Sequence, residues 1–259
     1  MVAKRGKLVI AEDESIKQAY QNYQFLKQEV DNWQQERSSY WLNQIELAEK
    51  PPYLPIQDLP SEAIIELWQR LNCAAGKEVS DKELGEIWQK IRTNQNIEQL
   101  MDAEMSTRFQ MAVCGVAQLA ARMANDKGVA EEIFNQSDYP RDSAVCPVCG
   151  EVTTLAVVTP PDGKRIMHCN TCGFEWMVKR MICLHCGNED AKQRTYLKNE
   201  SYPGFEMVVC LLCGEYSKEI DTRELQVRDY MWEDLRTLPL NFATEFWLSE
   251  HMKKDNQIH

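Results

Sequence analysis

The sequence predicts an α+β protein: an all-helical N-terminal domain, then two tandem four-cysteine modules rich in short strands, and a C-terminal helix. Three observations carry this reading. Apolar residues recur at three- and four-residue spacing through most of the first 140 residues, the mark of helices with one buried face. Eight of the ten cysteines fall between 146 and 213 as four C-x-x-C pairs with β-like runs between them. After Arg223 the helical spacing returns. The expected divisions are a helical domain over 1–140, metal-binding modules over 141–222 (146–182 and 183–222), and a helical segment over 223–259 that docks back onto the body.

Within the first domain, residues 14–38 place Ile16, Ala19, Tyr20, Tyr23, Leu26, Val30 and Trp33 on one helical stripe. Pro51, Pro52, Pro55 and Pro60 interrupt the chain, and Ser61 opens a short helix carrying Ile64, Ile65, Leu67 and Trp68. Ser80 and Glu83 have the spacing of a capping box ahead of Leu84, Ile87, Trp88 and Ile91. From about Ile97 to Met123 a further helix is apolar or small on most faces around MAVCGVAQLA, as an enclosed central element would be. The Trp and Met positions here read as core. Cys114 reads as a small buried hydrophobe and Cys73 has no partner cysteine nearby, so neither is a site candidate.

The texture changes at Tyr139-Pro140. Residues 155–159 and 164–168 flank PPDG, and 194–198 and 205–209 flank a turn with Pro203-Gly204, giving two hairpins. In the tail, Pro239 suits a first helical turn, and Phe242, Ala243, Phe246 and Trp247 make the face expected to dock.

Composition narrows the function. The chain of 259 residues has 44% hydrophobic and 27% charged residues, ordinary for a folded protein, and no apolar run approaches the roughly 18 residues that span a bilayer. The opening MVAKRGKLVIAEDES has only a short apolar patch and does not read as a signal peptide. Lys and Arg number 29 against 40 Asp and Glu, a net charge of −11, which argues against a nucleic-acid partner, since binding there depends on displacing counterions with a cationic surface. Without a secretory signal a reducing compartment is expected, where clustered thiols bind metal or do redox work.

The four pairs are CPVCG, CNTCG, CLHCG and CLLCG. Two residues between cysteines let a tight turn aim both sulfurs at one ion, and the glycine after each second cysteine (Gly150, Gly173, Gly187, Gly214) suits a left-handed backbone. Nineteen residues separate Cys149 from Cys169 and 23 separate Cys186 from Cys210, enough for one hairpin each, while only ten separate Cys172 from Cys183. The simplest scheme is knuckle, hairpin, knuckle, repeated: Cys146, Cys149, Cys169 and Cys172 bind one metal ion, and Cys183, Cys186, Cys210 and Cys213 a second. An interleaved cross-brace is the alternative. Such modules are zinc-ribbon or rubredoxin-like, and spacing does not choose zinc over iron. Four thiolates leave no open place on the ion for water or substrate, so Lewis-acid catalysis is not expected. His168 and His185 are read as exposed knuckle side chains rather than ligands. Arg165, Lys179 and Arg180 form a basic group that either meets an acidic partner or offsets the charge of a four-thiolate site.

CPVCG, GKRIMHCNTCGFEWMVKRMICLHCG, MVVCLLCGEYSKEID and EDLRTLPLNFATEFWL together resemble the FdhE family of formate dehydrogenase accessory proteins over roughly 144–248. The resemblance implies a cytoplasmic, non-enzymatic maturation factor that binds the catalytic subunit of a molybdenum or tungsten formate dehydrogenase, with the family's cysteine motifs on the eight residues above. No membrane insertion is expected, and a homodimer is compatible with the sequence. The second reading is a redox-active iron–tetrathiolate factor that handles electrons or sulfur during cofactor maturation.

Overall fold

The computed structural model describes residues 14–93, 100–129 and 143–255. Four helices form the N-terminal body: α1 (Glu14–Leu42), α2 (Ser61–Ala74), α3 (Asp81–Arg92) and α4 (Ala103–Asp126). The caps are those the sequence sets. Ser80 Oγ accepts from the Glu83 amide at 3.2 Å, and Asp102 Oδ1 accepts from the Met105 amide at 2.7 Å, capping α4 at Ala103; the expected start near Ile97 lies outside the described residues. The Tyr139-Pro140 boundary also lies outside them.

The core of this body is Trp33 from α1, Ile64, Leu67, Trp68 and Leu71 from α2, Leu84 from α3 and Leu119 from α4, all buried. The helices meet closely at Gly115, where a Cβ would stand 2.6 Å from Leu67 Cδ2 and 2.8 Å from Val30 Cγ1. Gln34 Nε2 donates to the Gly115 carbonyl at 2.7 Å and to Gln118 at 2.9 Å, fixing α1 against α4. Arg37 holds Glu66 through two bonds of 2.7 and 3.0 Å, joining α1 to α2.

Beyond the body the chain forms six strands: β1 (Leu155–Thr159), β2 (Lys164–His168), β3 (Glu175–Val178), β4 (Arg194–Leu197), β5 (Phe205–Cys210) and β6 (Tyr216–Asp221). Each hairpin expected from sequence is present, and each gains a third strand after its second knuckle. All six belong to one sheet, in the order β3-β2-β1-β6-β5-β4. The two halves join through parallel pairing of β1 with β6, in the register Leu155↔Lys218 to Val158↔Asp221. As the central strand, β1 is covered on both faces: Ala156 packs into the core shared with the helical body, and Leu155 packs with Phe205, Met207, Ile220 and Leu240.

Two C-terminal helices, α5 (Tyr230–Arg236) and α6 (Leu238–Asp255), close the second face. Trp232 lies 4.8 Å from Tyr20 and 5.5 Å from Tyr23, ring centre to ring centre, and Tyr23 donates to Asp229 Oδ2 at 3.0 Å, so α5 is tied to α1. The face of α6 differs from the sequence expectation. Leu240 and Thr244 turn inward, while Phe242 and Phe246 are 66% and 65% exposed. The helix is apolar on more than one side, so spacing alone did not identify the side that packs. Among the described residues no helix is long and apolar enough to cross a membrane.

A buried ion pair locks this assembly. Lys218 of β6 is fully buried; its Nζ lies 2.6 Å from Asp234 Oδ1 and 3.0 Å from both the Asp234 carbonyl and Thr237 Oγ1. Burial pulls the Lys218 pKa below the ordinary lysine range, although Asp234 opposes this. The other Asp234 oxygen accepts from Asn170 Nδ2 at 2.7 Å, so one carboxylate joins α5 to both halves of the sheet. Asp234→Ala leaves a buried cation without a counter-charge and is expected to lower stability by about 3 kcal/mol or more in denaturant unfolding. Lys17→Ala, which breaks an exposed pair, should change it by less than about 0.5 kcal/mol. Equal effects would contradict this assignment.

Candidate metal centres

The four knuckles share one backbone form. In each, the glycine amide donates to the carbonyl of the first cysteine (Gly150 to Cys146, Gly173 to Cys169, Gly187 to Cys183, Gly214 to Cys210) at 2.8–2.9 Å. The amide of that cysteine donates to the residue after the glycine at 2.8–3.0 Å. This turn requires φ between +72° and +78° at the glycine, which explains the invariant CG ending within this chain.

The turns converge in pairs. The sulfurs of Cys146, Cys149, Cys169 and Cys172 all lie within 4.8 Å of one another, as do those of Cys183, Cys186, Cys210 and Cys213. The first knuckle therefore meets the second and the third meets the fourth; the cross-brace arrangement does not occur. Across knuckles, Cys146–Cys172 is 3.6 Å, Cys149–Cys169 3.5 Å, Cys183–Cys213 3.6 Å and Cys186–Cys210 3.7 Å. A disulfide would need about 2.05 Å. A tetrahedron with metal–sulfur bonds of about 2.3 Å has edges of roughly 3.8 Å, so these spacings fit four thiolates around one ion. Two four-cysteine groups that could each hold a metal ion are thus present. An all-sulfur set suits zinc or iron: either ion would cross-link its two knuckles, and iron would add one-electron chemistry.

The two groups differ in cover. Cys146, Cys149, Cys169 and Cys172 are 0–3% exposed and belong to the hydrophobic core of the helical body. The proline-rich segment covers the first knuckle: the Tyr53 and Leu54 amides donate to the Pro147 and Val148 carbonyls at 3.0 and 2.7 Å, and Pro52 packs on Gly150. Helix α4 covers the second, with Cys114 Sγ 3.8 Å from the Asn170 carbonyl. A cleft of about 370 Å³ opens alongside, between Lys27, Gln118, Arg122 and Tyr230, yet the sulfurs stay shielded. In the second group Cys183 and Cys210 are buried but Cys186 and Cys213 are exposed. Nothing lies within 4 Å of a Cβ placed on Gly187, and only the Met252 methyl approaches Gly214, at 3.6 Å.

The remaining candidates take other roles. Arg165 is buried with its guanidinium 2.9 Å from Glu219 and donates to Ser217 Oγ at 2.8 Å. Lys179 pairs with Glu189 at 2.9 Å and Arg180 donates to the Gly163 carbonyl. The basic group is therefore no free patch for an acidic partner; Arg165 instead sits close enough to Cys183 for their charges to interact. His168 is tucked against Tyr230 and pairs with Glu175 at 3.0 Å, and is not the exposed side chain the sequence suggested. His185 stands 3.9 Å from Glu215. Neither histidine joins a sulfur group. Burial, with Cys169 and Cys149 nearby, pushes the Cys114 thiol up to about 12, so it stays protonated and packs as a hydrophobe. Cys73 is exposed and belongs to neither group.

Protein reconstituted anaerobically is expected to carry two zinc or iron ions per chain by elemental analysis, and Cys146→Ser or Cys210→Ser one each. Variants that retain both ions would contradict the grouping. Removing both ions from the wild type should abolish cooperative unfolding of the ribbons, since such sites contribute on the order of 10 kcal/mol.

Residues 145–180 match the family described as FdhE, central domain. An FdhE homolog of Edwardsiella ictaluri is 32% identical over 113 residues, 42% of this chain and 36% of that protein. One from Aquifex aeolicus is 29% identical over 110 residues, 40% and 37% of the two chains. The FdhE protein of Escherichia coli is 27% identical over 112 residues, 42% and 36%. The matched region thus spans little more than a third of these relatives' length. The crystal structure of FdhE from Pseudomonas aeruginosa is similar at a TM-score of 0.49 and 15% identity, covering 92% of this chain and 77% of that one, a likeness too distant to carry an argument. The resemblance read from the cysteine pattern and these matches fall on the same region, over which the chain is similar to FdhE proteins.

Proposed function

We propose that the chain is a non-catalytic accessory protein that binds the catalytic subunit of a molybdenum or tungsten formate dehydrogenase in the cytoplasm and assists its maturation. In this reading Cys146, Cys149, Cys169 and Cys172 hold one ion and Cys183, Cys186, Cys210 and Cys213 another. The proposed divisions remain a helical domain over 1–140, tandem modules over 141–222 and a docking segment over 223–259. The observation that carries the reading is the pairing of eight cysteine sulfurs into two tetrahedral-sized groups, within a region similar to FdhE proteins. With sulfur at all four positions neither ion has an open position for a substrate unless a cysteine is displaced, which supports a binding role over catalysis. A six-stranded sheet braced on both faces gives such a factor a rigid platform.

The second reading, an iron–tetrathiolate redox factor, is favoured by one observation: two cysteines of the second group are exposed, which suits electron entry. Affinity capture from a formate-grown native host decides the first reading. The formate dehydrogenase catalytic subunit should copurify with the wild-type chain and fall away with the Cys146→Ser variant. Its absence from the wild-type capture would overturn the proposal.

A further inference from the structure

We propose that the second quartet is a ligand-exchange site, at which an incoming thiolate displaces Cys186 or Cys213 from the metal, while the first quartet is a closed structural centre. This rests on the reading that both quartets hold ions. The sequence gives the two quartets the same knuckles and the same glycine turns, so the difference comes from their surroundings. The first is enclosed by Pro52, Tyr53 and Leu54 on one side and by α4 on the other, with every sulfur at 3% exposure or less. The cleft beside α4 touches Cys169 and Cys172, yet all four cysteines of this quartet stay at 3% exposure or less.

Among the described residues, no element at the second quartet takes the place of the proline-rich segment or of α4. Gly187 faces open space, Gly214 meets only the end of the Met252 side chain, and Leu212, between the cysteines of the fourth knuckle, is 62% exposed. The exposed residues are the second cysteines of their knuckles, with sulfurs within 4.8 Å of each other, while Cys183 and Cys210, the first cysteines, are buried. Substitution at a four-sulfur ion proceeds by ligand exchange: a new metal–sulfur bond forms to the incoming thiolate, the bond to Cys186 or Cys213 breaks, and the freed thiolate takes a proton from water. The ion keeps its oxidation state and no oxidant is needed. Access to the attacked centre sets the rate of such steps. The incoming ligand is a thiolate, from a small thiol or from a cysteine side chain of a protein.

The test uses the full chain loaded with two zinc ions. Release to the chromogenic chelator 4-(2-pyridylazo)resorcinol should be biphasic, one equivalent leaving roughly tenfold or more faster than the other. Iodoacetamide followed by peptide mass analysis should label Cys186 and Cys213 ahead of the other six, and Cys186→Ser should remove the fast phase while the slow phase keeps its rate. The fast phase should accelerate with added glutathione if small thiols reach the ion, or only with a reduced cysteine-bearing peptide if protein side chains do; acceleration by neither overturns the thiolate assignment. Loaded protein holding fewer than two zinc ions would overturn the metal reading and this inference together. Two ions leaving in a single phase, or Cys146 and Cys149 labelled as fast as Cys186, would overturn the inference alone.

Discussion

Four sulfurs gathered with cross-knuckle spacings of 3.5–3.7 Å would repel one another as thiolates, and a cation at their centre would turn that repulsion into attraction. Much of the sheet region depends on satisfying this demand twice. The strands are four to six residues long, too short to hold a six-stranded sheet by their own packing, and each half has a sulfur group at the base of its hairpin. The parallel seam of β1 and β6 joins the two halves, each with its own sulfur group, and Lys218 and Asp234 lock the seam to the C-terminal helices.

The surroundings of the two centres assign them different work. The helical body does more than precede the ribbons: its hydrophobic core runs without a break into the first quartet and reaches Phe174, Trp176 and Ile182. The body and that quartet therefore share one core. The second quartet belongs to neither core, and a factor that meets a client protein there would meet it at the one centre whose ligands reach solvent.

What the sequence made legible was local. The glycine after each second cysteine reports a turn of five residues, Ser80 and Glu83 report a cap, and Asp162-Gly163 reports a hairpin; each signal lies within a few positions of the structure it specifies. The strands after Gly173 and Gly214 were visible only as similar endings, because four to six residues of mixed polarity do not distinguish a third strand from a loop. Contacts between distant segments left no such trace. Nothing near Pro52 or Cys114 signals that they cover knuckles whose cysteines lie 55 or more positions away, and nothing in β1 signals a parallel partner in β6. The outward face of α6 escaped for a related reason: with apolar residues on several sides, only the shape of the receiving surface selects Leu240 and Thr244.

X-ray absorption at the metal edge tests the central claim most directly, because it counts the donors around each ion without reference to activity. Protein purified anaerobically should give a first shell of sulfur alone, four atoms per ion at about 2.3 Å. A shell containing nitrogen or oxygen, or fewer than four sulfurs per ion averaged over both centres, would contradict the account.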